Sequence, residues 1–226
     1  MRMLPTTIRR VVCVAALAGA LTYASEAQAA PITVDSVGDS FTVDFDGNVN
    51  STPIAGLSAT ATFTVTSFTA NSIGFDVDLT NTSGSGITSR ISGLGFDTTP
   101  GITGATSTGV FNIAVLGGAY PNGFGGIEAC FKDGGGISNC QGGGSGGVLT
   151  GATGNFDIVL GFTGPITQFT FDKFGVRYQS IGGTTAGTSG TGTGTPRPPT
   201  SVPEPSSAAL LGTGLVASLV ARRRRR

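Results

Sequence analysis

Thr60, Thr62, Thr64 and Thr66 alternate with Ala59, Ala61, Phe63 and Val65. Successive side chains point to opposite faces only in a β-strand, so this alternation makes one apolar and one polar face. The same period recurs at Phe41, Val43 and Phe45, and at Phe111, Ile113 and Val115. Ile73, Phe75, Val77 and Leu79 alternate with Asp76, Asp78 and Thr80, and Phe156, Ile158, Leu160 and Phe162 close the series. Residues 31–200 contain no helical period, and Asp46-Gly47 and Ser83-Gly84-Ser85-Gly86 read as turns. About eight to ten short strands, each apolar on one face, must bury those faces against one another. The expected fold is all-β: an antiparallel β-sandwich of jelly-roll or Greek-key type over residues 30–181, with a closed barrel as the alternative. An outer-membrane barrel is excluded, because its longer strands and aromatic girdles are missing.

The last strand region changes parity. Phe169 and Phe171 point one way, whereas Phe174, Val176 and Tyr178 fall on the other. A β-bulge near Asp172 and Lys173 restores one inward face. Arg177 and Gln179 then face water or a partner. Residues 182–195 are nearly all Gly, Thr, Ser and Ala, and Pro196-Arg197-Pro198-Pro199 follows. Residues 182–200 therefore read as a linker, flexible first and stiffer at its prolines.

Both ends read as targeting segments. Arg2, Arg9 and Arg10 precede an apolar run at 11–21, and Ala27-Gln28-Ala29 is a small-x-small cleavage site. Residues 1–29 are expected to be a signal peptide with a short helix, removed by signal peptidase after Ala29 or nearby, with Ala27 and Ala29 as the small residues of the site. At the other end, Pro203 and Pro205 hold off a helix until residue 206. Residues 206–221 carry no charge. As a helix they would span about 24 Å, short of the roughly 30 Å of a hydrocarbon core. Arg222, Arg223, Arg224, Arg225 and Arg226 then act as a stop-transfer cluster that stays cytoplasmic, with the body on the opposite side. The contact with the membrane is therefore expected to be transient.

Cys13 leaves with the signal peptide. Cys130 and Cys140 remain as an even pair, and an exported chain lies in a compartment that permits disulfides. A bridge between them closes the glycine-rich loop 132–139. Two cysteines without histidine make a poor metal site.

Charge and composition narrow the function. Residues 31–200 hold five basic residues against 11 acids, a net charge of −6, which disfavours nucleic-acid binding. The chain has no histidine, which removes Ser-His-Asp triads and histidine metal sites. A carboxylate pair could still hydrolyse glycosides, from among Asp44, Asp76, Asp78, Asp97, Glu128, Asp157 and Asp172. Most alternate along strands, where acids form a solvated face, so no catalytic residue and no enzymatic activity are expected. Asp44, Asp46 and Asn48 place oxygens at i, i+2 and i+4, as calcium prefers. The spacing departs from an EF-hand loop, and a hairpin at Asp46-Gly47 accounts for it, so neither metal nor cofactor is expected. Tyr120 heads the loop Tyr120-Pro121-Asn122-Gly123-Phe124 and is the candidate platform for stacking a sugar. The runs at 134–136 and 142–144 lack the Gly-Lys-Ser/Thr end of a phosphate loop.

Val202-Pro203-Glu204-Pro205, then Leu210-Leu211-Gly212-Thr213-Gly214-Leu215, then the five arginines, resembles the PEP-CTERM sorting signal. The resemblance implies a Gram-negative bacterium that makes exopolysaccharide. It also implies a membrane protease, exosortase, that recognises Val202, Pro203, Glu204 and Pro205 and removes the helix. The phrase at 174–181, taken with the cysteine pair, resembles bodies of the group called the cistern family. The expected protein is exported across the inner membrane and held there before processing. Afterwards it is a structural or adhesive protein of the cell surface or extracellular matrix. The alternative is a carbohydrate-binding module whose partner is exopolysaccharide.

Overall fold

A computed structural model of the chain describes residues 31–136 and 139–197. The expected signal peptide, the sorting signal and its helix lie outside them. The described chain is built of strands: β1 (Ile32–Val34), β2 (Ser40–Phe45), β3 (Asn48–Val49), β4 (Thr52–Pro53), β5 (Ala59–Phe68), β6 (Ser72–Thr80) and β7 (Thr88–Thr99), followed by β8 (Gly104–Gly109), β9 (Ile113–Tyr120), β10 (Gly125–Lys132), β11 (Val148–Leu149), β12 (Thr153–Gly161), β13 (Phe169–Gly182) and β14 (Ser189–Pro196). Every pairing is antiparallel. The main path runs β8-β12-β6-β5-β2-β14-β13-β7-β10-β9.

That path is two sheets joined by one strand. A front sheet holds β8, β12, β6, β5 and β2, and a back sheet holds β13, β7, β10 and β9. The all-β antiparallel expectation holds, as a large sheet nearly closed into a barrel-like sandwich. The alternating residues produced it: Ala59, Ala61, Phe63, Val65, Ile73, Phe75, Val77 and Leu79 are all buried, with their threonine and aspartate neighbours turned outward. The bulge also occurs where parity demanded it, as a register shift between Phe171 and Lys173 that brings Phe171 and Phe174 to the same core.

Phe171 is the hub of that core. Its ring lies 4.7–5.6 Å from those of Phe41, Phe63, Phe75, Phe96, Phe169 and Phe174, which come from both sheets. Edge-to-face and offset contacts of this kind add to the area they bury. A second, smaller cluster lies on the outer face of the back sheet: Val115, Tyr120, Ile127, Cys130 and Cys140, with Phe124 against them.

Four expectations are corrected. The segment expected as a linker at 182–200 contains β14, which pairs with β13 on one side and β2 on the other. Its glycines face inward because no side chain fits there: a Cβ on Gly192 would overlap the carbonyl of Asp46 and press on Tyr178 and Val176. Asp46-Gly47 is not a hairpin turn. β2 and β3 do not pair with each other there; the chain steps from the front sheet to the back one, and both strands pair with β14. Phe111 lies outside the strand expected for it, in the connection between β8 and β9, and packs on Phe156 at 5.0 Å. Arg177 does not face water; it is 5% exposed.

Phe171→Ala should lower the unfolding free energy by about 3–5 kcal/mol, the range for emptying a buried aromatic site. Urea denaturation of the two proteins checks this, and a loss below about 1 kcal/mol would show that Phe171 is not the hub.

Candidate functional site

The outer face of the front sheet is a grid of hydroxyls and carboxylates. Register places Ser40, Thr64, Asp76, Asp157 and Thr108 in one row across five strands, and Thr42, Thr62, Asp78 and Asn155 in the next. The groups satisfy one another. Thr42 and Thr62 hydroxyls lie 3.1 Å apart, and those of Thr80 and Thr153 2.8 Å apart. The Asn155 amide donates to Asp76 at 2.5 Å and to Asp78 at 3.2 Å. These acids are the solvated face that the alternation predicted.

Glu128 and Asp97 hold backbone, and Asp172 holds a side-chain hydroxyl. Glu128 accepts from the amides of Thr98 at 2.9 Å and Ile102 at 2.7 Å, and from the Thr98 hydroxyl at 2.6 Å. Asp97 accepts from the amide of Glu128, and Asp172 from the Thr99 hydroxyl, both at 2.7 Å. A cavity of about 190 Å³ lies between Pro100, Gly101 and residues 162–166, and none of its lining side chains titrates. The seven carboxylates singled out from the sequence therefore have structural or solvated roles here.

The back sheet's outer face carries the cysteines and the glycine-rich loop. Cys130 on β10 and Cys140 form a disulfide with Cα atoms 5.9 Å apart. Beneath the loop, the buried Lys132 ammonium donates to the carbonyls of Gly136 and, at 2.5 Å, Asn139. Burial lowers its pKa, and the nearby Asp133 partly offsets that. Arg90 pairs with Asp133, donates to the carbonyls of Gly143 at 2.7 Å and Gly146 at 3.0 Å, and reaches the Gln179 side chain. The glycines let backbone carbonyls close on two cations, so the loop is anchored from inside. These anchors were not legible from sequence, because Arg90 lies 43 residues from Asp133.

Tyr120 is 3% exposed and offers no ring face to a sugar. The segment 120–124 lies flat on the back sheet. Phe124 occupies the place where Gly175 has no side chain, and Tyr120 meets its ring edge-on at 5.6 Å. Lys173 Nζ sits 4.3 Å above the Phe124 ring and donates to the carbonyls of Phe124 and Gly126. Asn122 ties the loop to Asn50 and Thr191. Burial raises the Tyr120 pKa far above its ordinary value, against the opposing influence of Arg177. Among the described residues no Phe or Tyr is in the exposed class.

The proposed oxygen cluster at Asp44, Asp46 and Asn48 does not converge. Asp46 accepts from the amide of Thr193 at 2.6 Å, and its carbonyl accepts from the buried Tyr178 hydroxyl at 3.1 Å. Asn48 donates to the carbonyl of Thr191 at 2.9 Å. Asp44 takes both arms of the Arg197 guanidinium, at 2.6 and 2.7 Å, and the Thr60 hydroxyl at 3.0 Å. All three residues fasten β14 to the body. The arginine holds the Asp44 carboxyl below its ordinary pKa, with help from Thr60 and against a little desolvation.

This seam is where the body meets its tail. The Arg197 amide donates to the carbonyl of Thr42 at 2.9 Å, extending the pairing one residue past β14. After four intervening residues, by sequence, Val202-Pro203-Glu204-Pro205 begins. In sequence, a described β body is followed by a proline-flanked apolar stretch that ends in arginines. Residues 201–226 match a family model described as the PEP-CTERM protein-sorting motif. The chain thus carries a PEP-CTERM signal, which implies recognition by exosortase, export, and a cell-surface or extracellular location. No curated protein and no solved structure matches the chain. The match covers the signal alone and does not bear on the cistern resemblance. Val202, Pro203, Glu204, Pro205 and the five terminal arginines, like Ala27 and Ala29, lie outside the described residues.

Replacing Cys130 and Cys140 by serine should cost about 2–3 kcal/mol, as expected for opening a short loop. Intact mass before and after alkylation should show no free thiol in the exported wild type; two alkylated cysteines would refute the bridge. The Asp44–Arg197 pair predicts a pH signature. Folding lowers the Asp44 pKa, so its contribution is present above the ordinary value of 3.8 and is lost as pH falls through the folded value. Asp44→Asn should therefore destabilise the protein at pH 7 and have no effect near pH 2, in paired denaturant melts. High salt should shrink the difference, because both side chains are about half exposed.

Proposed function

We propose that the chain is an exported protein of the bacterial surface or extracellular matrix with a non-catalytic, structural or adhesive body. Signal peptidase removes residues 1–29, and exosortase cuts near Pro205 and discards the apolar tail. The observation that carries this reading is the PEP-CTERM match at 201–226, which follows a described β body in the sequence. The body supports it in kind. Many of its carboxylates line the front sheet's outer face among hydroxyls or hold backbone, and Lys132 and Arg90 anchor a loop. The short tail supports transience, because about 24 Å of helix spans a bilayer poorly. With Tyr120 buried, the carbohydrate-binding alternative loses the platform on which it stood, and no second reading is advanced.

Substituting alanine for Pro203, Glu204 and Pro205 should leave full-length protein in the inner membrane. Neutral residues in place of Arg222, Arg223, Arg224, Arg225 and Arg226 should weaken its retention there. Mass spectrometry of the surface or released form should find a C-terminus near residue 205. Recovery of that form with its apolar helix intact would leave a plain membrane anchor instead.

A further inference from the structure

The two halves of β14 are held very differently. Residues 189–193 pair with β13 and touch β3, and Gly190, Thr191 and Gly192 are buried. Pairing with β13 stops at Thr193. From there Gly194, Thr195 and Pro196 pair only with β2, opposite Phe45, Asp44 and Val43. Thr195 and Arg197 are exposed, and Gly194 and Pro196 are half-buried. A proline is tolerated here because its missing amide costs nothing on an unpaired side. The outer half is fastened by three residue pairs, one further amide bond and the Asp44 clasp. Thr193 is a natural breakpoint: beyond it the strand can leave β2 while residues 189–193 keep their pairing with β13 and Thr193 keeps its bonds to Asp46.

Reach gives that difference a use. Four residues, 198–201, separate Arg197 from Val202. Fully extended they span about 14 Å, against a body roughly 40 Å across. A protease takes its substrate as extended chain, and cleavage beside a folded domain tracks the population of the locally opened form. Releasing 194–197 adds another 14 Å or so and doubles the tether, at the local cost of uncovering the strip where Gly194 lies against Val43, Phe45 and Phe174.

We propose that residues 194–197 form a releasable strap, clasped by Asp44 and Arg197, whose detachment from β2 lets the sorting motif reach its membrane protease. The proposal rests on the processing reading above. It makes the folded body a regulator of its own cleavage: processing follows the opening of the strap, not only the presence of the motif. Thr195 lies directly opposite Asp44, and both point outward, so a disulfide across this pair can hold the strap shut.

The test is carried out on the full chain in a host with the protease, by following the conversion of precursor to the shortened form. Asp44→Cys with Thr195→Cys, its bridge verified by mass, should slow processing at least about tenfold, as blocking an obligatory opening does. The matched Asp44→Ser, Thr195→Ser protein should be processed no more slowly than wild type. Inserting about eight Gly and Ser residues after Arg197 should restore processing to the locked protein, because the spacer supplies the reach that release otherwise gives. Wild-type processing of the locked chain would overturn the proposal, as would a locked chain that the spacer fails to rescue. If neither wild type nor the unlocked spacer variant is cut, the sorting reading itself fails, and the strap falls with it.

Discussion

The pairing of β14 with β13 on one side and β2 on the other turns two sheets into one nearly continuous wall. Each sheet buries its inner face only because the other is held against it, and the inner faces supply most of the hydrophobic stabilisation. The seam is made of backbone and small groups. Gly190, Gly192 and Gly194 let β14 lie close to Ile181, Tyr178, Val176, Phe174 and Phe45. Side chains from the neighbouring strands then fasten it, through Asp46, Asn48, Asp44 and the buried Tyr178 hydroxyl.

Two cores divide the remaining work. The phenylalanines around Phe171 join front and back, with rings contributed by β2, β5, β6, β7 and β13. The cluster outside the back sheet is local: it holds the 120–124 loop and the disulfide-closed loop onto β7, β10 and β13. Beside it Lys132 and Arg90 are held by carbonyls and by Asp133, whereas the buried Tyr120 hydroxyl has no hydrogen-bond partner.

The strands with bulky inward residues were legible as alternation, and the bulge at Phe171 and Lys173 was legible as a change of parity. β14 was not, although Ser189-Gly-Thr-Gly-Thr-Gly-Thr-Pro196 alternates as strictly as β5 does. Its inward positions hold glycine because neighbours already fill the space, so the signal was a period of two with nothing apolar in it. Glycine and threonine in alternation therefore deserve a strand reading when bulky strands precede them. The burial of Tyr120 and Arg177 was illegible for another reason. It depends on the turn after β9 lying against β13, where Lys173 reaches Phe124 49 positions away, and on the β14 residues Ser189 and Gly190 that take the Arg177 guanidinium. The sorting signal, by contrast, is a linear feature read by its own order of residues, and it needed no fold to be seen.

The seam also orders events in time. β1 and β2, the first strands, find their partners in β13 and β14, the last. A chain delivered N-terminus first, from a ribosome or through a membrane channel, can form the β5–β6 and β9–β10 hairpins early, because their contacts are local. It cannot close the wall until β13 and the first half of β14, to Thr193 and its bonds with Asp46, have arrived. Until then the front and back faces stand open, with their phenylalanines wet and their strand edges unpaired, the condition in which β-proteins aggregate. For this molecule the finished fold and the arrival of the tail are one event.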